Sequence, residues 1–284
     1  MRIVSLLPSA TEICFALGAG DAVVGVTFEC DYPADARTRR IVSTTALPSG
    51  LTPAEIDAAV RSRVAAGEDL YKLDAGALRE LNPDIVITQD LCAVCALDVT
   101  DVESALDYLG CTAQVVTTNP HTLSEVLTSI EQVAQAINRD AAPLLEDLRR
   151  RLTPRPPTGR RVTLLEWTDP PYAPGHWLPE QVALAGGINV LGTAGTRSHP
   201  VDWSALSTAE VVIVAPCGFD VPAAYEQAEA LIRHALLPAH SEVWAVDSNS
   251  HFARPGPRLI EGIDVLTQIL TGQLPAPTQA RRLR

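Results

Sequence analysis

Hydrophobic residues recur at helical spacing from Leu123 onward. Leu123, Val126, Leu127, Ile130, Val133, Ala134 and Ile137 fall on one helical face. Asn138, Arg139 and Asp140 interrupt the pattern. Asp140 is suited to cap a second helix with Pro143 in its first turn, where a missing N–H costs little. Leu144, Leu145, Leu148 and Leu152 extend that helix's apolar stripe until the proline-rich segment 153–159 stops it. On both sides of this helical stretch, short continuous apolar runs alternate with helix-like segments. Before it, strands are predicted over 3–7, 22–26, 41–44, 84–88 and 114–117, and helices over 8–17, 52–66, 75–81 and 102–109. After it, strands are predicted over 161–166, 211–214 and 243–246, and helices over 179–185, 222–234 and 258–270. Continuous apolar strands alternating with helices predict parallel sheets covered on both faces. The fold class is therefore α/β: two Rossmann-like lobes over 1–138 and 159–284, joined by a single helical linker over 139–158. Ligands of such sheets sit beyond the carboxyl ends of the strands. That rule places a ligand cleft between the lobes if the two sets of strand ends face each other.

Composition narrows the function. The 284 residues are 46% hydrophobic and 20% charged, enough to fill real cores. A net charge of −12 argues against nucleic acid and anionic membrane as partners. The basic residues Arg281, Arg282 and Arg284 read as a frayed, solvated end. No run of about 18 apolar residues exists, so no membrane insertion is expected. A strand already begins at Ile3 with no leader pattern before it, which predicts a cytoplasmic protein. In a reducing compartment the six cysteines are thiols, core fillers or metal ligands rather than a disulfide frame.

Four stretches carry a resemblance. They are Arg2-Ile3-Val4-Ser5-Leu6-Leu7-Pro8-Ser9-Ala10-Thr11-Glu12, Leu81-Asn82-Pro83-Asp84-Ile85-Val86-Ile87, Gly186-Gly187-Ile188-Asn189-Val190 and Phe252-Ala253-Arg254-Pro255-Gly256-Pro257-Arg258. In this order they resemble the helical-backbone (class III) substrate-binding proteins of ABC importers, most closely the cobalamin-binding branch. Cys92-x-x-Cys95 and Phe28-Glu29-Cys30-Asp31-Tyr32-Pro33 are similar to a cytosolic-type subgroup of that branch. The resemblance implies a two-lobed binding protein for cobalamin or a related corrinoid or tetrapyrrole. Without export, a transporter partner is in doubt.

A broad, mostly apolar ring with a polar rim needs aromatic walls and a few polar groups. Tyr32, Trp167, Tyr172, Trp177 and Phe252 lie on loops after strands and are candidates; each can equally be a core plug with a satisfied polar tip. Glu29, Gln89 and Arg254 are candidate rim partners, Arg254 through its fork of donors. His176 can supply a neutral imidazole to cobalt or iron, or simply bond a backbone carbonyl. Cys30, Cys92 and Cys95 offer ligands for zinc or iron, or reactive thiols, which gives a second reading as a metal- or thiol-dependent protein; Cys30 and Cys92 also count among the ligand-binding candidates. Glu12 reads as a capping-box partner of Ser9. No G-x-S-x-G, P-loop or dinucleotide fingerprint is present, so no enzyme is expected.

Overall fold

The computed structural model describes residues 1–68, 70–89 and 112–284. The predicted helix over 102–109 and the residues Cys92, Cys95 and Cys111 lie outside these. The chain divides into two compact units: 1–120 with 124–147, and 121–123 with 148–284.

Unit 1 is built on a sheet of β1 (Ile3–Ser5), β2 (Val23–Thr27), β3 (Arg40–Thr45), β4 (Tyr71–Leu73), β5 (Ile85–Gln89) and β6 (Gln114–Thr118). Their order among the described residues is β4-β3-β2-β1-β5-β6, all parallel except β4, which pairs antiparallel with β3. β5 is buried along its whole length, as a continuous apolar run in a parallel sheet should be. Helices α1 (Pro8–Ala16), α2 (Pro53–Ala66) and α3 (Ala75–Leu81) connect the strands. Thr52 and Glu55 form a reciprocal capping box at α2. At α1 the expectation fails: the N-cap is Leu7, no side chain caps it, and Ser9 lies inside the first turn. One core of this unit gathers Val4, Leu6, Val42, Leu78 and Val86.

Helices α4 (Leu123–Ala136) and α5 (Ala142–Arg151) follow. The predicted stripe is the buried one: Leu123, Val126, Ile130, Val133, Ala134 and Ile137 on the first, Leu145 and Leu148 on the second. The Asp140 carboxylate accepts from the Ala142 N–H at 2.9 Å, as a cap should. The division between units falls within α5, after Asp147.

Unit 2 contains β7 (Arg161–Leu165), β8 (Trp167–Thr168), β9 (Pro171–Ala173), α6 (Leu178–Leu184), β10 (Ile188–Asn189) and β11 (His199–Pro200). β12 (Val211–Val214), α7 (Val221–Arg233), β13 (Glu242–Val246), α8 (Ser248–His251), α9 (Leu259–Leu270) and β14 (Ala280–Arg282) complete it. The main sheet runs β10-β7-β12-β13-β14, and a small antiparallel sheet β11-β9-β8 pairs the hairpin over 167–173 with His199–Pro200. β14 was expected to be a frayed end. It pairs antiparallel with β13 because Ala280 is buried, the Leu283 N–H bonds the Val243 carbonyl and Arg281 lies 4.2 Å from the Tyr225 ring centre. The sheets are therefore parallel in their interiors with antiparallel edges. Two rows of β-branched and leucine side chains, Val162, Leu164, Val212 and Val214 among them, are fully buried in β7 and β12.

Leu164→Ala is expected to lower unfolding free energy by about 2–5 kcal/mol, whereas Val64→Ala, on the exposed side of α2, shifts it by less than about 0.5 kcal/mol. Urea denaturation of the two variants checks the contrast.

Candidate functional site

In each unit the chain reverses direction across the sheet. In unit 1 it runs outward from β1 through β2 to β3, then returns to the other side of β1 as β5. In unit 2 it goes from β7 to β10, then to the other side of β7 as β12. A crevice forms where the two loops at a reversal diverge, and ligands of open α/β sheets bind there.

At the reversal of unit 2 stand Glu166 and Trp167 after β7, and Ala215 to Phe219 after β12. The Cys217 N–H bonds the Glu166 carbonyl at 3.0 Å and ties the two loops together. The Trp167 and Phe219 rings lie 5.8 Å apart at 51°. Tyr172 is the cross-strand partner of Trp167, so both side chains share one face of the β8–β9 hairpin. The Trp167 Nε1–H donates to the Asp169 carbonyl at 3.1 Å, which fixes the ring. All three aromatic rings are half-buried. Phe219 was missed by sequence reasoning; its signal was its place at the end of a loop that leaves a four-residue buried strand.

Trp177 and Phe252 are elsewhere. Trp177 is 4% exposed and donates Nε1–H to the Phe252 carbonyl at 2.7 Å; Phe252 is 1% exposed. Gln181 bridges the same region, donating from Nε2 to the carbonyls of His251 and Leu259 at 3.0 and 2.7 Å. These groups lock the loop after β13 onto α6. Trp177 is therefore a core plug with a satisfied polar tip and Phe252 is core packing, and neither is a free wall for a ligand. Arg254 lies farther along that loop, half-buried.

His176 has φ +48°, a left-handed conformation uncommon outside glycine. Two backbone bonds hold it there: its N–H to the Thr196 carbonyl at 2.6 Å, and the Gly195 N–H to its own carbonyl at 2.9 Å. Gly192 adopts φ +78° directly against the Pro174 carbonyl, where a Cβ would sit 1.9 Å from the oxygen. The His176 ring lies 5.5 Å from the His121 ring, another residue that the sequence did not single out. Glu180 positions that neighbour by accepting the Leu123 N–H at 2.7 Å. Burial, then His121 and Arg197, hold the His176 imidazole below the ordinary histidine range, and its Nε2 is buried with no hydrogen-bond partner. His251 is also held low, chiefly by burial, against the opposing pull of Asp247 and Glu261.

In unit 1, Glu29, Cys30 and Tyr32 share the loop after β2. Tyr32 is 46% and Phe28 40% exposed, and the Phe28 ring stands 6.4 Å from that of Tyr71. The Tyr71 hydroxyl donates to Glu29 Oε2 at 3.3 Å. Phe28 and Tyr71 had also escaped notice. Cys30 points inward. The Ser5 hydroxyl donates to the Leu7 carbonyl at 2.9 Å and the Thr11 hydroxyl to Ser5 Oγ at 2.9 Å. Thr11 Oγ1 and Cys30 Sγ lie 3.1 Å apart, a contact in which either atom can donate. Among the described residues no group of three histidine, cysteine or carboxylate side chains could hold a metal ion. The Cys92 and Cys95 ligand expectations fall outside the described residues. Cys14, buried, and Cys217, exposed, are free thiols. Gln89 ends β5, 4% exposed.

Two outcomes follow from this geometry. Gly192→Ala is expected to cost at least about 2 kcal/mol, since both φ and the Pro174 carbonyl oppose a Cβ; chemical denaturation measures it. Because the folded protein holds His176 and His251 below their unfolded value, the unfolded chain takes up protons first as pH falls. Stability is then full above about pH 7 and declines through about pH 6.5 toward the folded-state values. Melting temperatures recorded between pH 7.5 and 5 are expected to show this decline, and His251→Gln to flatten it.

No family model matches the chain. The vitamin B12-binding protein of Vibrio cholerae serotype O1 is 25% identical over 286 residues, covering 93% of this chain and 86% of that protein. An uncharacterized ABC transporter substrate-binding lipoprotein of Bacillus subtilis is 25% identical over 284 residues, covering 94% and 79%. The crystal structure of a periplasmic heme binding protein from Pseudomonas aeruginosa superposes with a TM-score of 0.71 at 18% identity, covering 99% of this chain and 97% of that one. These are binding proteins, not enzymes. They correct the cytoplasmic expectation, because its relatives and neighbours are periplasmic or lipoproteins. A strand near the start of a sequence carries no information about compartment. The doubt about a transporter partner rested on the same premise and loses it. The chain has the two-lobed α/β fold of the class III substrate-binding proteins, the group to which these relatives and structural neighbours belong.

Proposed function

We propose that this chain is an extracytoplasmic binding protein for a corrinoid or haem-like tetrapyrrole, which it delivers to an ABC importer. The observation that carries the reading is the aromatic group at the reversal of unit 2, where Trp167, Tyr172 and Phe219 converge from two loops. Flat faces of this kind take a flat, largely apolar ring. Arg254, on the loop after β13 of the same unit, offers a polar partner for a ring's periphery. His176, kept neutral by burial, is suited to a central metal once its Nε2 is uncovered. The relatives support the class: one is a vitamin B12-binding protein and one structural neighbour a heme binding protein. Among the described residues no group of three ligating side chains supports the metal-dependent reading, and two of its three cysteines, Cys92 and Cys95, lie outside them.

Titration of the purified protein with haemin and with cyanocobalamin, followed by visible spectroscopy and gel filtration, tests this. One of the two is expected to saturate at one equivalent. Trp167→Ala and Phe219→Ala are each expected to weaken it about five- to tenfold. Retention of neither ligand at about 100 µM, an affinity too weak for capture, would overturn the proposal.

A further inference from the structure

The reversal in unit 1 differs in chemistry from that in unit 2: it is rimmed by buried polar side chains. Ser5, Thr27, Ser43, Thr88, Gln89 and Thr118 lie at or near the carboxyl ends of their strands, each under 5% exposed. Three of them carry buried polar atoms without a partner: Thr27 Oγ1, Ser43 Oγ and Gln89 Nε2. Such an atom costs stability, and a native structure that keeps one at a strand end needs a reason.

The register shows where Gln89 points. Ser5 pairs with Ile87 in the parallel ladder of β1 and β5, so their side chains leave the same face of the sheet. Ser5 uses that face to bond the Leu7 carbonyl and the Thr11 hydroxyl of α1. Gln89, two residues beyond Ile87, shares the face and stands level with Leu7, the N-cap of α1. That helix begins without a capping side chain, without an acidic residue in its first turn and with Pro8 at its start. Its first-turn N–H groups at Ser9 and Ala10 and the positive end of its dipole thus lie on the same face and at the same end of the sheet as the unpartnered amide donor of Gln89.

We infer that this crevice is a subsite for an oxyanion, a carboxylate or a phosphate, with Gln89 Nε2 and the Ser9 and Ala10 N–H groups as its donors. Gln89 Nε2 and the free N–H groups of the helix start are donors, so the group they receive is an acceptor, and the helix dipole favours a negative one. The inference leans on the tetrapyrrole reading only for what carries the oxyanion: an acidic side arm of the ring system or a phosphodiester attached to it.

The experiment follows amide NMR signals of Ser9, Ala10 and the Gln89 side chain in the full-length labelled protein. The probes are acetate, inorganic phosphate, haemin, haemin dimethyl ester and cyanocobalamin. Saturable shifts of these three residues are expected with acetate or phosphate, or with haemin or cyanocobalamin and more weakly with the ester. Gln89→Glu, which places a carboxylate against the oxyanion, is expected to weaken binding at least about tenfold. Gln89→Met keeps the length without donor or charge and is expected to show the same direction of loss, with melting curves separating lost binding from lost fold. Saturation with acetate or phosphate but no tetrapyrrole binding leaves the subsite standing and removes the function proposed above. A carboxylate effect, with haemin held more tightly than its ester, points to an acidic side arm, and one confined to cyanocobalamin points to the phosphodiester. Tetrapyrrole binding that is indifferent to esterification and to both variants overturns the subsite and leaves that function intact. No shift at these residues with any probe also overturns the subsite.

Discussion

Chain reversal beside the first strand is the constraint on which both units depend. A strand with parallel neighbours on both sides, reached in opposite directions, forces the connecting loops apart at its carboxyl end. The helices that cover the sheet faces cannot fill that gap. β1 and β7 occupy this position, and their burial on both faces leaves only their ends to meet anything polar. The side chains that follow each of them are thus the ones free to specialise. After β7 they are aromatic; after β1 they are hydroxyls, an amide and a helix start.

The interior of the fold was legible because β-branched runs such as Val211–Val214 admit little besides a doubly covered strand. The edges were not. Tyr71–Leu73 and Ala280–Arg282 are three-residue strands with charged members, as edge strands commonly are, and such segments have no pattern that separates them from loops. The site was legible at the level of loops rather than residues. Trp167 and Trp177 lie ten residues apart in one proline-rich stretch, and nothing in the spacing says which faces inward. The Phe252 carbonyl, 75 positions away, decides it by accepting the Trp177 N–H. Cys30 is a similar case. Its sequence neighbours suggest a ligand, and only the fold shows that the side chain turns inward, to 3.1 Å from the Thr11 hydroxyl.

Rigidity behind the site comes from a few buried polar bonds. The single amide of Gln181 joins two carbonyls from different segments, and the Trp177 indole adds a third tie. Removing one partner of such a set strands the others, so this region resists piecemeal change. The loops at the reversal carry their aromatic groups on the β8–β9 hairpin and on the turn after β12, where substitution alters surface rather than core. The division lets ligand preference drift while the scaffold stays fixed.

Cys217 is exposed between the buried Pro216 and the half-buried Phe219, whereas Cys14 and Cys30 are enclosed, Cys14 so deeply that burial pushes its thiol up to about 12. Among the described residues it is the one cysteine that a bulky thiol-alkylating dye can reach. A probe attached there would sit on the loop that carries Phe219 and is tied to Glu166, turning the crevice into an optical sensor with no engineered cysteine.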